Sequence, residues 1–182
     1  MITIKPLSPE LFDDYIDFFE NRAFSDNPEW AGCYCMHHHR TKDIDEKIDE
    51  MQAEFGGNRA KALKEMAKQL LEKGIISGFF AYENGRVVGF CNADDSKNYY
   101  RLYGDIAANI NEKVVSIVCI TVDPKCRREG VATKLIGAVC EAAREKRYSI
   151  VEAYGVPKEL FFRNGFEEML LDDNKIAIRR FV

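Results

Sequence analysis

The residues of this chain best placed to do chemistry are Arg127-Arg128-Glu129-Gly130-Val131-Ala132-Thr133, a basic, glycine-containing turn running straight into an amphipathic stretch. The first N–H groups of a helix have no intrahelical acceptor, and glycine lets backbone approach a ligand with no Cβ between them. Amides from Arg128 to Thr133, with the charge of Arg127 and Arg128 and of nearby Lys125, therefore suit a pyrophosphate. Two nucleotide loops are excluded. The turn holds one glycine where a dinucleotide fingerprint needs three, and Lys134 follows Thr133 where a Walker A loop needs Lys before Ser or Thr. A second grouping is Cys33-Tyr34-Cys35-Met36-His37-His38-His39, two thiols and every histidine of the chain within seven residues. Zinc takes such ligands, but a structural site draws paired ligands from separate segments and no second pair occurs, so no metal is expected.

The elements that must position the turn can be read on both sides of it. Val114 to Val122 is β-branched and almost continuously apolar, as in a strand covered on both faces, and Asp123-Pro124 stops it. Val131, Leu135, Ala138, Val139 and Ala142 recur at helical spacing, which predicts a helix packed against the sheet. Upstream, Asn84-Gly85 between Phe79–Glu83 and Arg86–Cys91 predicts a hairpin with a type I′ turn. Downstream, Tyr148 to Tyr154 reads as a strand, Lys158 to Arg163 as a short helix, and Asn164-Gly165 as its left-handed cap before Phe166. In the first third, Ser8-Pro9 predicts a capped helix with a Leu11, Tyr15, Phe18 and Phe19 stripe. Two more helices are predicted over Thr41–Phe55 and Asn58–Lys73, parted by Gly56-Gly57.

Arg127-x-x-Gly130-x-Ala132 after Val122-x-Pro124, within the order hairpin, strand, turn, helix, strand, short helix, Gly-Phe, resembles the GNAT superfamily of acyl-CoA-dependent N-acetyltransferases. The likeness is good from about Ile75 onward and weaker before it. It implies one α/β (α+β) domain over residues 1–182, with a mixed, mostly antiparallel twisted sheet of six or seven strands, splayed at its centre and flanked by helices on both faces. It implies transfer of an acetyl group from acetyl-CoA to a primary amine of a small molecule or peptide, by direct attack in a ternary complex. Backbone of Ile120, Thr121 and Val122 would pair with the pantetheine arm, amides through Glu129, Gly130, Val131, Ala132 and Thr133 would hold the pyrophosphate, and Phe161 would lie along the cofactor. The loop after the first helix would bring Trp30, Tyr34 and His37 to the acceptor, and the stretch Asp94–Asn111 would bring Tyr99, with Tyr100 and Tyr103. Many relatives carry a tyrosine general acid where this chain has Phe161. Tyr154 is the substitute, and Glu152, Asp94, Asp95 and Asp123 are the candidate bases. The missing tyrosine also permits a second reading, a catalytically weak CoA-binding regulatory module.

Composition narrows the partners. A formal charge of −4 over 182 residues disfavours nucleic acid and mildly favours a cationic acceptor. No apolar run reaches the ~18 residues needed to cross a membrane, and Met1–Pro6 alternates like a strand, so a cytoplasmic monomer or homodimer is expected. Cys91, Cys119 and Cys140 sit in apolar patterns and read as small buried hydrophobes, and Cys126 in the turn as an exposed thiol open to oxidation. A third reading, a metal- or redox-sensing domain, would use Cys33, Cys35 and His37–His39.

Overall fold

Asn84 and Gly85 both take positive φ, 50° and 76°, in the computed structural model, which describes residues 1–101, 113–154, 157–172 and 175–182. That geometry closes the expected two-residue hairpin, with Glu83 facing Arg86. The hairpin strands β2 (Gly78–Glu83) and β3 (Arg86–Asp95) join β1 (Ile2–Pro6), β4 (Val114–Val122), β5 (Ile150–Ala153), β6 (Glu167–Asp172) and β7 (Lys175–Phe181) in one seven-stranded sheet. The order is β1-β2-β3-β4-β5-β7-β6, and among the described residues the β4–β5 pair alone is parallel. The mixed, mostly antiparallel sheet is the one expected.

Alternation along β2 and β3 divides the core into two layers. Phe80, Tyr82, Val87 and Phe90 face α1 (Phe12–Asn21), α2 (Lys42–Glu54) and α3 (Arg59–Glu72). Ala81, Val88 and Cys91 face α4 (Val131–Glu145), with α5 (Lys158–Phe162) beside it. Tyr15, Phe18, Phe19, Phe80 and Phe90 are all 1% exposed or less, and each such ring contributes about 2–3 kcal/mol by burial. The helix α1 is therefore held by its face and not by its end. The capping bond expected of Ser8 is not made; the chain enters α1 through a 3-10 turn at Pro9–Leu11. Thr41 and Asn58 do cap, accepting from the Ile44 and Lys61 amides at 3.3 and 3.0 Å. On the other layer α4 crosses close to β3, where a Cβ on Gly89 would meet Val131 Cγ1 at 2.7 Å.

Strand β5 is shorter than the sequence suggested. The Tyr148 amide is taken by Ala143 O at the end of α4, at 2.9 Å, so pairing begins only at Ile150. After α5, the Gly165 and Phe166 amides bond back to Phe162 O and Phe161 O with Gly165 at φ 78°, which is the predicted left-handed cap. No helix among the described residues is long and apolar enough to cross a membrane.

Candidate active site

The site starts from one extra residue in β4. Between Asn92 and Ala93 of β3, the facing residues of β4 step from Cys119 to Ile117, so Val118 opposes nothing and forms a β-bulge. On the other edge, β5 pairs with β4 only from Val114↔Ile150 to Ile117↔Ala153. Both events fall at the same place. From Val118 onward β4 is paired on its β3 edge, its other edge parts from β5, and the sheet splays at its centre as expected. Val118 to Val122 then line a cavity of about 890 Å³, whose opposite wall includes Phe24, Asp26, Glu29, Trp30, Cys33, Cys35, His37 and His38.

Beyond β4, Asp123 accepts from the Lys125 amide at 3.0 Å and closes a 3-10 turn at Pro124–Cys126. Arg128 and Gly130 follow in the left-handed region, φ 71° and 81°, and α4 begins at Val131. Its first backbone bond runs from Lys134 N to Gly130 O, 3.1 Å. Among the described residues, no acceptor is paired with the amides of Arg128 to Thr133, and nothing lies within 4 Å of a Cβ built on Gly130. Successive unpaired amides on a backbone that turns through two left-handed residues make a concave, positive surface. Lys125, Arg128 and Lys134 stand exposed around it, without an ion pair among the described residues. Arg127 differs from the expectation. It donates to Asp26 through both terminal nitrogens, at 2.5 and 3.1 Å, and so ties the loop after α1 to the turn.

The loop carrying Cys35 is held in an unusual conformation. Tyr34 and Cys35 are consecutive non-glycine residues at φ 45° and 46°, each costing of order 1–2 kcal/mol. Two buried donors hold them there: Tyr15 Oη donates to Tyr34 O, and Asn92 Nδ2 donates to Cys35 O at 2.9 Å. Tyr99 Oη in turn donates to Asn92 Oδ1 at 2.9 Å, and Asn92 Nδ2 lies 3.0 Å from His39 Nε2. His39 Nε2 also lies 3.3 Å from Asn92 Oδ1, so the ring meets both ends of the Asn92 amide. The result of this framework is that Cys35 Sγ comes to 2.9 Å from Cys119 Sγ, with Thr121 Oγ1 3.4 Å from Cys119. Donation from Cys35 draws the Cys119 thiol down despite its burial, and the same bond pushes the Cys35 thiol up. Burial and the neighbouring rings push His38 down to about 4.

Of the residues expected at the acceptor, Trp30 and His37 line the cavity and Tyr34 and Tyr99 do not. Tyr34 is buried with its hydroxyl donating to Glu20 at 3.1 Å, and Tyr99 is fully enclosed, acting on the cavity only through Asn92 and the loop. Tyr100 is largely exposed, and Tyr103 lies outside the described residues. Glu152 is also displaced from its expected place. It is wholly enclosed, accepts from Arg179 Nε at 2.5 Å and from Tyr154 Oη, and neither it nor Tyr154 lines the cavity. Asp94, Asp95 and Asp123 accept backbone N–H groups in turns. Phe161 is buried against Phe166, 5.2 Å between ring centres, so its side chain belongs to the core. Cys91 and Cys140 are buried as expected, Cys119 instead forms part of the cavity wall, and Cys126 is half-buried with its thiol pushed up by that burial. Among the described residues Cys33, Cys35 and His37–His39 do not bring three ligand atoms within 4.8 Å of one another; Glu83, Cys126 and Glu129 do. One signal for the missed framework was available: Asn92 is a polar residue inside the otherwise apolar run Val87–Ala93, and such a group needs buried partners.

The described architecture matches solved acetyltransferases across its length. A Drosophila melanogaster polyamine N-acetyltransferase that forms N-acetylagmatine superposes with a TM-score of 0.59 at 13% identity, covering all of both chains. The PaiA N-acetyltransferase of Thermoplasma acidophilum, solved with coenzyme A, gives 0.55 at 14% identity over 100% of this chain and 99% of its own. An aminoglycoside acetyltransferase from an uncultured soil metagenomic sample gives 0.55 at 16%, over 96% and 95%. No curated protein matches in sequence. The model of the acetyltransferase (GNAT) family matches residues 44–166, which contain the bulge, the splayed strand, the turn and α4. The chain therefore belongs to the GNAT family of acetyl-CoA-dependent N-acetyltransferases.

Proposed function

We propose that this enzyme acetylates a primary amine of a small molecule or peptide by direct attack within a ternary complex. The observation that carries the reading is the coincidence of the open β4 edge with the unpaired amides of Arg128–Thr133. The first offers backbone of Ile120, Thr121 and Val122 to an extended pantetheine arm, and the second offers donors to a pyrophosphate. Acetyl-CoA supplies the activated acyl group, and the chain's own part is to hold the thioester carbonyl and take up the amine's proton.

The acceptor side of the cavity has Asp26 and Glu29 in its wall. Asp26 is occupied by Arg127, while Glu29 has no ion pair among the described residues and is free to attract a cationic amine. That the solved relatives include polyamine and agmatine acetyltransferases supports a polyamine-like acceptor. With Glu152 sequestered by Arg179, the exposed imidazole of His37 is our candidate to accept the amine's proton, directly or through water. No phenol stands at Phe161, so the CoA thiolate leaves without one, which a thiol pKa of about 8.5 permits.

The test is release of free thiol from acetyl-CoA with a panel of amines including agmatine, spermidine, an aminoglycoside and a lysine peptide. Turnover with one or more is expected, and His37→Gln should lower kcat by about 10²-fold or more. Tight CoA binding with no turnover across the panel would favour the regulatory module.

A further inference from the structure

We infer that Cys35 and Cys119 form an oxidisable pair, a modification site at which a peroxide closes a disulfide between the loop and β4. The two residues lie 84 positions apart, yet their sulfurs are 2.9 Å apart. A disulfide requires about 2.05 Å, so closure asks the sulfurs to approach by only about 0.9 Å. The approach is built, not incidental. Cys35 sits in a left-handed conformation that Tyr15 and Asn92 hold by hydrogen bonds to the flanking carbonyls, and the β4 bulge directly before Cys119 re-aims that strand.

Both residues line the cavity, which admits a small oxidant to sulfurs that are otherwise shielded. Thr121 Oγ1 and the Cys35 thiol surround Cys119 with hydrogen-bonding groups, and the thiol so stabilised as thiolate is the one expected to react first. Its sulfur attacks one oxygen of hydrogen peroxide, the O–O bond breaks, hydroxide leaves and takes up a proton as water, and Cys119 becomes a sulfenic acid. Cys35 sulfur then attacks Cys119 sulfur; the S–O bond breaks, a second water leaves carrying the thiol proton, and the S–S bond forms. Two thiols are oxidised and one peroxide is reduced to two waters. The product pins the loop that carries Trp30 and His37 to the strand that lines the opposite wall. This site does not depend on the acyl-transfer reading, whose thiol-release assay fails or succeeds separately.

The test is peroxide treatment of the full chain, alkylation of remaining thiols, and mass mapping of tryptic peptides without reductant. Cleavage after Arg22 and Arg40 leaves Cys33 and Cys35 in one peptide, so C33S is needed to assign the partner. Wild type and C33S should both yield a crosslink to the Cys119 peptide, reversed by dithiothreitol, and C35S and C119S should not. A crosslink persisting in C35S would assign the bond to Cys33 and overturn the proposal. So would Cys119 that oxidises in wild type to sulfenic or sulfinic acid without crosslinking.

Discussion

Replacing Gly130 separates the two demands made on the turn, since folding needs a left-handed residue there and the proposed pyrophosphate needs open, uncharged backbone. The residue sits at φ 81° with nothing within 4 Å of an added Cβ, so a side chain meets no protein atom and the folded state loses only the strain of the left-handed conformation. That strain is about 1–2 kcal/mol, less for aspartate, which tolerates this region better than most residues. For a chain of this size it lowers Tm by roughly 2–8 °C. Ligand binding should suffer far more in one variant than in the other. In Gly130→Asp a carboxylate about 6 Å from each phosphate charge repels it by about 0.7–3 kcal/mol, which is roughly 3- to 100-fold in Kd per charge. Gly130→Ala carries the full left-handed strain and no charge. Calorimetric titration of CoA, with thermal unfolding on the same samples, should find Asp folded and binding severely weakened, with Ala intermediate. Equal CoA affinity in wild type and Gly130→Asp would refute the placement of the pyrophosphate on these amides. Equal losses in Ala and Asp would refute the electrostatic part.

Two further outcomes follow from groups away from the turn. Arg179→Ala leaves the enclosed Glu152 carboxylate without its guanidinium and should lower the urea-unfolding free energy by about 3–5 kcal/mol; a loss below about 1 kcal/mol would mean the pair is not a buried charge pair. His38 gives a pH signature. Its imidazole is held neutral in the folded chain, pushed by burial from 6.5 to about 4, so the unfolded chain binds that proton more readily. Stability should be full above about pH 6.5 and fall as pH drops towards about 4, with His39 acting in the same direction, and His38→Asn should flatten the slope in urea titrations at stepped pH.

Which parts of this structure were readable from the sequence follows from the range of the interactions. The Asn84-Gly85 hairpin, the helices over Thr41–Phe55 and Asn58–Lys73 and the Gly165 cap rest on residues a few positions apart, and each took its expected form. The unpaired amides after Arg127 were readable for the same reason, because a helix start leaves them so whatever surrounds it. Partnerships across the sheet were not. Arg127 meets Asp26 across 101 residues, and Glu152 meets Arg179 across 27, so residue type alone marked the one as a free cation and the other as a catalytic carboxylate. Tyr34 and Tyr99 are polar aromatics in loop-like stretches, a pattern that fits a ligand wall and a buried hydrogen-bond donor equally well.

The bulge at Val118 is the least readable feature and the one on which most depends. Val118 is as β-branched and apolar as its neighbours, so nothing in Val114–Val122 marks it as the residue without a partner. A bulge raises local twist and bends its strand. The antiparallel β3 follows the bend because it shares the bulge, whereas the parallel β5 pairs up to Ile117 and Ala153 and no further. One inserted residue therefore opens the β4 edge and sets Cys119 and Thr121 on the side of Cys35. The proposed acyl-CoA site and the proposed thiol pair are in this sense two consequences of the same irregularity, and a change that restored regular pairing at Val118 should disturb both together.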